Sequence, residues 1–429
     1  MDTSRDGSAP LSSLLRDRDF LALWSGQMIS QIGDSFTFLA LLITVNRLTG
    51  SAAAMGVMMI SLTLPQLAFS LLAGVVVDRV DRKLVMIVSD LLRAVLVLAF
   101  LTVRSAGQIY IFYIVGFLLS SVSVFFWPAK TAMIPRIVKG GDRLLSANAL
   151  SQTVRVVGLL IGPALAGFAI GWFGTSVAFV ADSLTYLVSA MAIITIRTSG
   201  STADEERVSL SLVWHRLADG FSFTMRHSTL VGIVVTLLVA LLGVGAIEVL
   251  FVPYLQGEFG VGPEGLGFVQ TTQGLGMLVG SVLLGYLAAR FRLTRIIAWS
   301  TSMLGFAVAL CGLAGHFLFI ALCTFMAGLS LAPLNAALST LMQRTVPDEK
   351  LGRVSSVVDT TMTLSYLLSM GGAASFAEAL GIRTVFVSAG LVTAISALPA
   401  LVMMKEPEAT LPDGAIPSSG LLAKQSLET

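Results

Sequence analysis

Charge is scarce in this chain: Asp, Glu, Lys and Arg make up 12% of its 429 residues, against 55% hydrophobic. A water-facing domain carries roughly 25% charged residues, so a soluble globular fold is excluded. Cysteine is limited to Cys311 and Cys323, both inside long apolar runs, which argues against a disulfide framework and for two buried thiols. The three histidines, His215, His227 and His316, fall in the segments between apolar runs. No H-E-x-x-H pair exists, and these histidines do not converge within a bilayer, so an intramembrane metallohydrolase is a poor fit. The phosphate-cradling G-x-x-x-x-G-K-[ST] loop of an ATP-driven pump is missing as well. So is the strict alternation over about ten residues that marks a membrane barrel.

What the chain has is length in its apolar runs. About 20 apolar residues cross a hydrocarbon core as a helix, and helices satisfy their own amides where lipid offers no partner. Reading between charge clusters and Gly/Pro punctuation places spans near 20–45, 52–77, 84–103, 108–129, 146–170, 175–197, 228–251, 262–289, 293–314, 317–340, 353–378 and 382–404. The expectation is an all-α polytopic membrane protein with twelve transmembrane helices arranged as two six-helix bundles, 20–197 and 228–404. Residues 1–19 form a polar leading segment, and the first apolar run is too long for a signal-peptide core. A linker over 198–227 places Leu210, Val213, Trp214, Leu217 and Phe221 on one helical stripe, as suits a helix at the membrane surface. Residues 405–429 read as a disordered tail.

The basic residues lie overwhelmingly in alternate loops, among them Arg79, Arg82, Lys83, Arg136, Arg143, Arg197, Arg290, Arg292, Arg295, Arg344 and Arg353, with only Arg47, Arg104 and Arg383 in the opposite set. The positive-inside rule then puts both ends of the chain in the cytoplasm of a cell bounded by an inner membrane. The net charge of +2 is spread over short loops rather than one face, so no nucleic-acid partner is expected. Nor is a cofactor or metal, and a monomer suffices.

The densest charge cluster is Gly74-Val75-Val76-Val77-Asp78-Arg79-Val80-Asp81-Arg82-Lys83. It returns in eroded form 211 residues later, Gly74 matching Gly285 and Arg79 matching Arg290, with Ala289 where Asp78 would fall. Gly74 permits close helix approach, and Asp78 suits the positive N-terminal end of a neighbouring helix. A second motif, Gly158-x-x-x-Gly162-Pro163-x-x-x-Gly167, spaces small residues for tight packing and bends the fifth span at proline.

These motifs resemble the major facilitator superfamily over nearly the whole chain. The resemblance implies that Gly74, Asp78, Arg79, Asp81, Arg82 and Lys83 form a gate, with Asp78 latching onto the eleventh helix when the protein opens outward. The plainer reading is a loop anchor. Gly158, Gly162, Pro163 and Gly167 are similar to the antiporter motif of the superfamily's exporters, with a plain packing seam as the alternative. Ala147-Asn148-Ala149-Leu150, Gly33-Asp34 and Ala178-Phe179-x-x-Asp182-x-x-Thr185-Tyr186 resemble the branch of macrolide-efflux and siderophore-exporting permeases.

A charge inside a span costs several kcal/mol unless paired or neutral. Asp90 and Arg93, one turn apart, pair locally, and Asp182 has a possible partner in Arg155. Asp34 and Glu248 have no evident local base and occupy the first and seventh spans, which line the central cavity in the family. Burial disfavours a charged carboxylate, so these two are the candidates for proton coupling, against purely structural roles. Lys130 is the one base near the inner end of the fourth span, where many drug antiporters of the family carry arginine. For substrate contact, Gln31, Phe125, Phe126, Trp127, Gln270, Gln273 and Asn335 form a mixed aromatic and amide set that suits a large amphipathic molecule.

The expected function is proton-coupled export of such a compound, a drug such as a macrolide or a siderophore, with lipid, protons and a small molecule as partners. Proton-coupled uptake of a small organic solute and a non-transporting receptor are the alternatives.

Overall fold

The computed structural model describes residues 14–200 and 210–406, and every regular element among them is helical. In chain order the helices are α1 (Arg18–Thr49), α2 (Ala52–Val77), α3 (Arg82–Ala99), α4 (Ile109–Ile137), α5 (Gly141–Phe173), α6 (Thr175–Thr195), α7 (Leu210–Met225), α8 (Ser228–Phe259), α9 (Pro263–Arg290), α10 (Leu293–Gly312), α11 (Phe317–Thr345), α12 (Asp348–Leu380), α13 (Ile382–Ile395) and α14 (Ala397–Met403). Eleven membrane-crossing segments among the described residues are long and apolar enough to span a bilayer, α13 and α14 counting together. The 33-residue α12 is not among them.

Local chemistry sets the helix ends. Asp17, Ser51 and Asp81 each accept a hydrogen bond from an amide of the first turn, at Phe20, Ala54 and Leu84. Gly50 (φ 57) and Gly260 (φ 61) close α1 and α8 in the left-handed region that a side chain disfavours. These caps lie beyond the apolar windows, so α1 and α8 outrun the expected 20–45 and 228–251 by several residues. The last expected span, 382–404, is interrupted at Ser396, whose hydroxyl donates to the Thr393 carbonyl. The polar residues of α12 that keep it outside the apolar criterion include Thr360, Thr361, Thr363 and Ser365. Each returns its hydroxyl to a carbonyl four residues back, so these donors are satisfied within the helix.

Helices before and after α7 pack chiefly among themselves: α1 with α5 and α6, α2 with α4, and α3 with α4 and α6; then α8 with α12 and α13, α9 with α11, and α10 with α11 and α13. Glycine sets how closely they approach. A Cβ on Gly305 would meet Gly390 O at 2.5 Å, and one on Gly390 would meet Gly305 O at 2.5 Å, so α10 and α13 touch backbone to backbone. A Cβ on Gly276 would run into Phe325 O, and one on Gly328 into Gln273 O, locking α9 to α11.

The linker is helical over α7, and Arg353 at the start of α12 pairs with Asp219 at 3.1 Å. Phe221, placed on the expected apolar stripe, is more than half exposed. Part of the expected linker, 201–209, and most of the expected tail, 407–429, lie outside the described residues, as do residues 1–13.

One end of the bundle carries Arg82, Arg136, Arg290 and Arg344, and the opposite, far end carries Arg47, Arg104 and Arg383. The contacts between the α1–α6 half and the α8–α14 half concentrate toward the far end. Asn46 Nδ2 donates to Gln256 Oε1 at 2.7 Å, and Thr63 Oγ1 lies 3.9 Å from Met370 Sδ. A Cβ on Gly167 would stand 3.0 Å from Gly267 Cα.

Candidate functional site

Between the two halves lies a cavity of about 740 Å³, walled by residues of α1, α4, α5 and α6 on one side and of α8, α9, α11 and α12 on the other. Gln31, Asp34, Trp127, Glu248, Gln270, Gln273 and Asn335 all line it. Two of the expected contact residues do not. Phe126 is 2% exposed and lies beneath the Arg93 guanidinium, 4.4 Å from its ring centroid. Phe125 stacks at a tilt on Phe69, 6.5 Å between centroids. The reason is helical geometry: residues 125, 126 and 127 point about 100° apart around α4, so one orientation cannot turn all three inward. Trp127 holds the cavity position, half exposed.

Asp34 is not without a base. Its Oδ1 accepts a hydrogen bond from the Tyr186 hydroxyl at 2.6 Å, and Arg93 and Lys130 are the cations whose charge reaches it. Arg93 is 4% exposed, lies over both the Phe126 and Tyr186 rings, and forms an ion pair with Asp90 on its own helix. Asp182, fully buried, accepts from Thr185 Oγ1 at 3.2 Å. Gly33 makes room for this arrangement, since a Cβ there would collide with Thr185 and sit 2.5 Å from Asp182 Oδ1. Lys130, 6% exposed, stacks on Trp127 at 4.5 Å. The result is one cluster: Asp34, Asp90 and Asp182 around Arg93, with Tyr186 bridging to the cavity and Lys130 at its edge. Asp90 Oδ2 and Asp182 Oδ2 have no hydrogen-bond partner among the described residues.

Arg155 and Asp182 are not brought together. Arg155 lies exposed on the cavity wall, without an ion pair among the described residues. Glu248 does the same on the opposite half. Among the described residues, the cavity therefore presents this cation and this anion unpaired, on walls that are otherwise mostly apolar and aromatic, including Phe38, Phe251 and Tyr366.

At the arginine-rich end, a Cβ placed on Gly74 or on Gly285 would meet nothing within 4 Å, so the close approach expected at Gly74 is not made here. Asp78 is the C-cap of α2 and makes no side-chain hydrogen bond or ion pair among the described residues. The rest of the motif anchors. Asp81 caps α3 through the Leu84 amide at 3.0 Å, and the Arg82 amide donates to Gly200 O. Lys83 Nζ donates to Ile194 O and Ile196 O at 2.9 and 2.6 Å, closing the C-terminal end of α6. Arg79 is exposed on the loop beside them.

The glycines of α5 are contact points. Gly158 seats the Gln31 side chain and Gly162 seats Ser35, both on α1, while Gly167 meets Pro263 and Gly267 of α9. A Cβ on Gly267 would in turn strike the Pro163 carbonyl. Physically the motif is a seam joining α5 to α1 and to the other half.

Sequence reasoning misses Tyr186, Lys130 and Arg93 as partners of Asp34. One signal is present: Tyr186 lies one turn beyond Asp182, on the face that Asp182 shares.

The comparisons with known proteins agree with this architecture. Residues 23–246 and 233–418 match the Major Facilitator Superfamily. Macrolide efflux protein A of Streptococcus pyogenes is 24% identical over 376 residues, covering 86% of this chain and 92% of that protein. The multidrug efflux pump Tap of Mycolicibacterium fortuitum is 27% identical, covering 87% and 91%. Among solved structures, the nucleoside transporter NupG superposes with a TM-score of 0.75 at 13% identity, over 90% of this chain and all of that one. With paired helical halves around a central cavity and a match across both, the chain belongs to the Major Facilitator Superfamily.

Proposed function

We propose that this chain is a proton-driven exporter of an amphipathic organic compound, working by alternating access between two six-helix bundles. In this reading α12 is the eleventh of twelve spans, the arginine-rich end faces the cytoplasm of a bacterial inner membrane, and one copy of the chain is sufficient. The observation that carries it is the cavity. Its volume of about 740 Å³ falls within the range of about 300–1,000 Å³ typical of organic ligand sites, and its walls join apolar and aromatic groups to a few amides and to Arg155 and Glu248. A compound with a large apolar body and a charged or polar group fits those walls better than a small hydrophilic solute does.

Proton coupling is assigned to the Arg93 cluster. Three carboxylates against Arg93 and Lys130 leave a net negative charge in an apolar surround, a costly arrangement that one added proton removes. Asp34 is the member on the cavity wall, so it exchanges that proton, and Tyr186 links it to the Arg93 site. Glu248 is a second acid within reach of a cationic substrate group. One proton moving through about 100 mV supplies about 2.3 kcal/mol, enough for a substrate gradient of about fortyfold to fiftyfold at about 1.4 kcal/mol per decade.

Asp78 belongs to the other half of the cycle. In this reading the joining of the halves at the far end is the inward-open arrangement, with Asp78 unengaged. Closing the inner end brings it to the N-terminal end of α12, where a carboxylate is favoured. The efflux-named relatives favour export over uptake. The direct test is accumulation of macrolides, dyes and siderophores in a hypersensitive host with and without the chain. Reduced accumulation of at least one amphipathic compound is expected; unchanged accumulation of all, with the protein in the membrane, contradicts export.

A further inference from the structure

The eroded second copy of the charge cluster builds a cleft apart from the central cavity. It has a volume of about 330 Å³ and is lined by Arg290, Arg292 and Arg344, by Ala288 and Ala289, by Thr340, and by Glu406. It lies where the C-terminal ends of α9 and α11 meet the N-terminal end of α10. None of the three guanidinium groups forms an ion pair among the described residues; Arg290 lies over the Tyr286 ring at 4.5 Å. In the first copy an acid, Asp78, stands one residue before Arg79. Here Ala289 has taken its place, so the cleft keeps the bases and has lost the carboxylate.

Two observations indicate what belongs there. The N-terminal end of α10 lies at the cleft, and its N-cap Arg292 provides no side-chain cap, so the helix dipole adds to the positive field. Glu406 occupies one corner, where its carboxylate accepts from the Thr294 amide at 3.2 Å, and among the described residues it forms no ion pair with the three guanidinium groups. Exposed Tyr286 lies under Arg290, and exposed Trp299 packs on Phe291 of the lining; aromatic residues of this kind sit at headgroup depth in a bilayer.

We propose that this cleft binds a phosphate group, held by Arg290, Arg292 and Arg344 at the N-terminal end of α10. Arginine forks match phosphate oxygens, and basic pockets between helices at a cytoplasmic membrane face hold anionic lipid headgroups. The cleft opens beside exposed apolar surface, so a phosphodiester of an anionic lipid is one source, and free phosphate from solution is the other. The site stands whether or not transport is proton-coupled.

The test uses the purified full chain, with native mass spectrometry and thermal melting as readouts and phosphatidylglycerol, phosphatidylcholine and inorganic phosphate as probes. Phosphatidylglycerol should remain bound and raise the melting temperature. Binding should weaken by about tenfold in Arg344→Gln, the effect of one lost charge-assisted hydrogen bond. Ala289→Asp, a change at an exposed lining position, should weaken it similarly by restoring the missing carboxylate. Arg383→Gln, at the far end, should leave binding unchanged. A shift produced by inorganic phosphate and abolished by the same variants supports the site with a soluble ligand. No anion-dependent shift in the wild-type chain, or equal binding by wild type, Arg344→Gln and Ala289→Asp, overturns it.

Discussion

Arg93 holds three carboxylates together, and Asp34 is the one that reaches the cavity. Replacing Asp34 with Asn removes the ionisable group but keeps its shape and its hydrogen bond to Tyr186. Asp34→Asn should therefore insert and fold normally, while its flux no longer responds to an imposed pH gradient. Tyr186→Phe loses one hydrogen bond to a charged acceptor, worth about 1.5–3 kcal/mol, and should slow gradient-driven flux by about tenfold or more. Equal pH response in wild type and Asp34→Asn, read as tracer flux in vesicles, removes Asp34 from the coupling role. At this scale the sequence reveals polar residues in apolar helices, because each needs a reason to be there. That is why Gln31, Asp34, Gln270, Gln273 and Asn335 stand out in the chain and do line the cavity. It cannot show which way α4 is turned, and so Phe126 groups with Trp127 by position although it lies under Arg93 instead. The Asp34–Tyr186 bond joins residues 152 positions apart, a pairing that no local pattern reports.

Between elements, α5 and α9 meet in a close seam toward the far end, to which the proposed cycle gives the closing of that end. A side chain at Gly267 would strike the Pro163 carbonyl, and overpacking at a tight contact typically costs about 1–3 kcal/mol. Gly267→Val should weaken closure of the far end, lower transport by about tenfold or more, and raise labelling of a cysteine introduced at Gln256 from outside the cell. Asp78→Asn, which removes the proposed contact of the outward-open state, should also lower transport but lower that labelling rather than raise it. Equal labelling in Gly267→Val and wild type contradicts the assignment of the seam to closure. The order of the apolar helices is readable from the apolar runs, because crossing a bilayer demands them. Helix ends are not, because the caps at Gly50 and Gly260 lie past the apolar windows. The glycine spacing in α5 shows a close contact without naming its partner: Gly158 and Gly162 meet α1, whereas Gly167 meets α9.

For the whole molecule, two unequal halves divide the work. The first holds the Arg93 cluster and the intact charge motif, and the second contributes Glu248 and a stripped copy of the motif, whose arginine-lined cleft is the proposed phosphate site. The duplication itself is legible at an offset of 211 residues; the division of roles emerges only when the cavity and the cleft are seen in three dimensions. The central claim is that substrate leaves through this cavity at the expense of a proton gradient. It is tested most directly in reconstituted vesicles of known orientation, loaded with a compound that the cells exclude, by measuring substrate and proton movement together under an imposed pH gradient. The account predicts that substrate and protons move in opposite directions, and that Asp34→Asn abolishes the dependence on the gradient. Substrate flux that is identical with and without the gradient in the wild-type chain would contradict it.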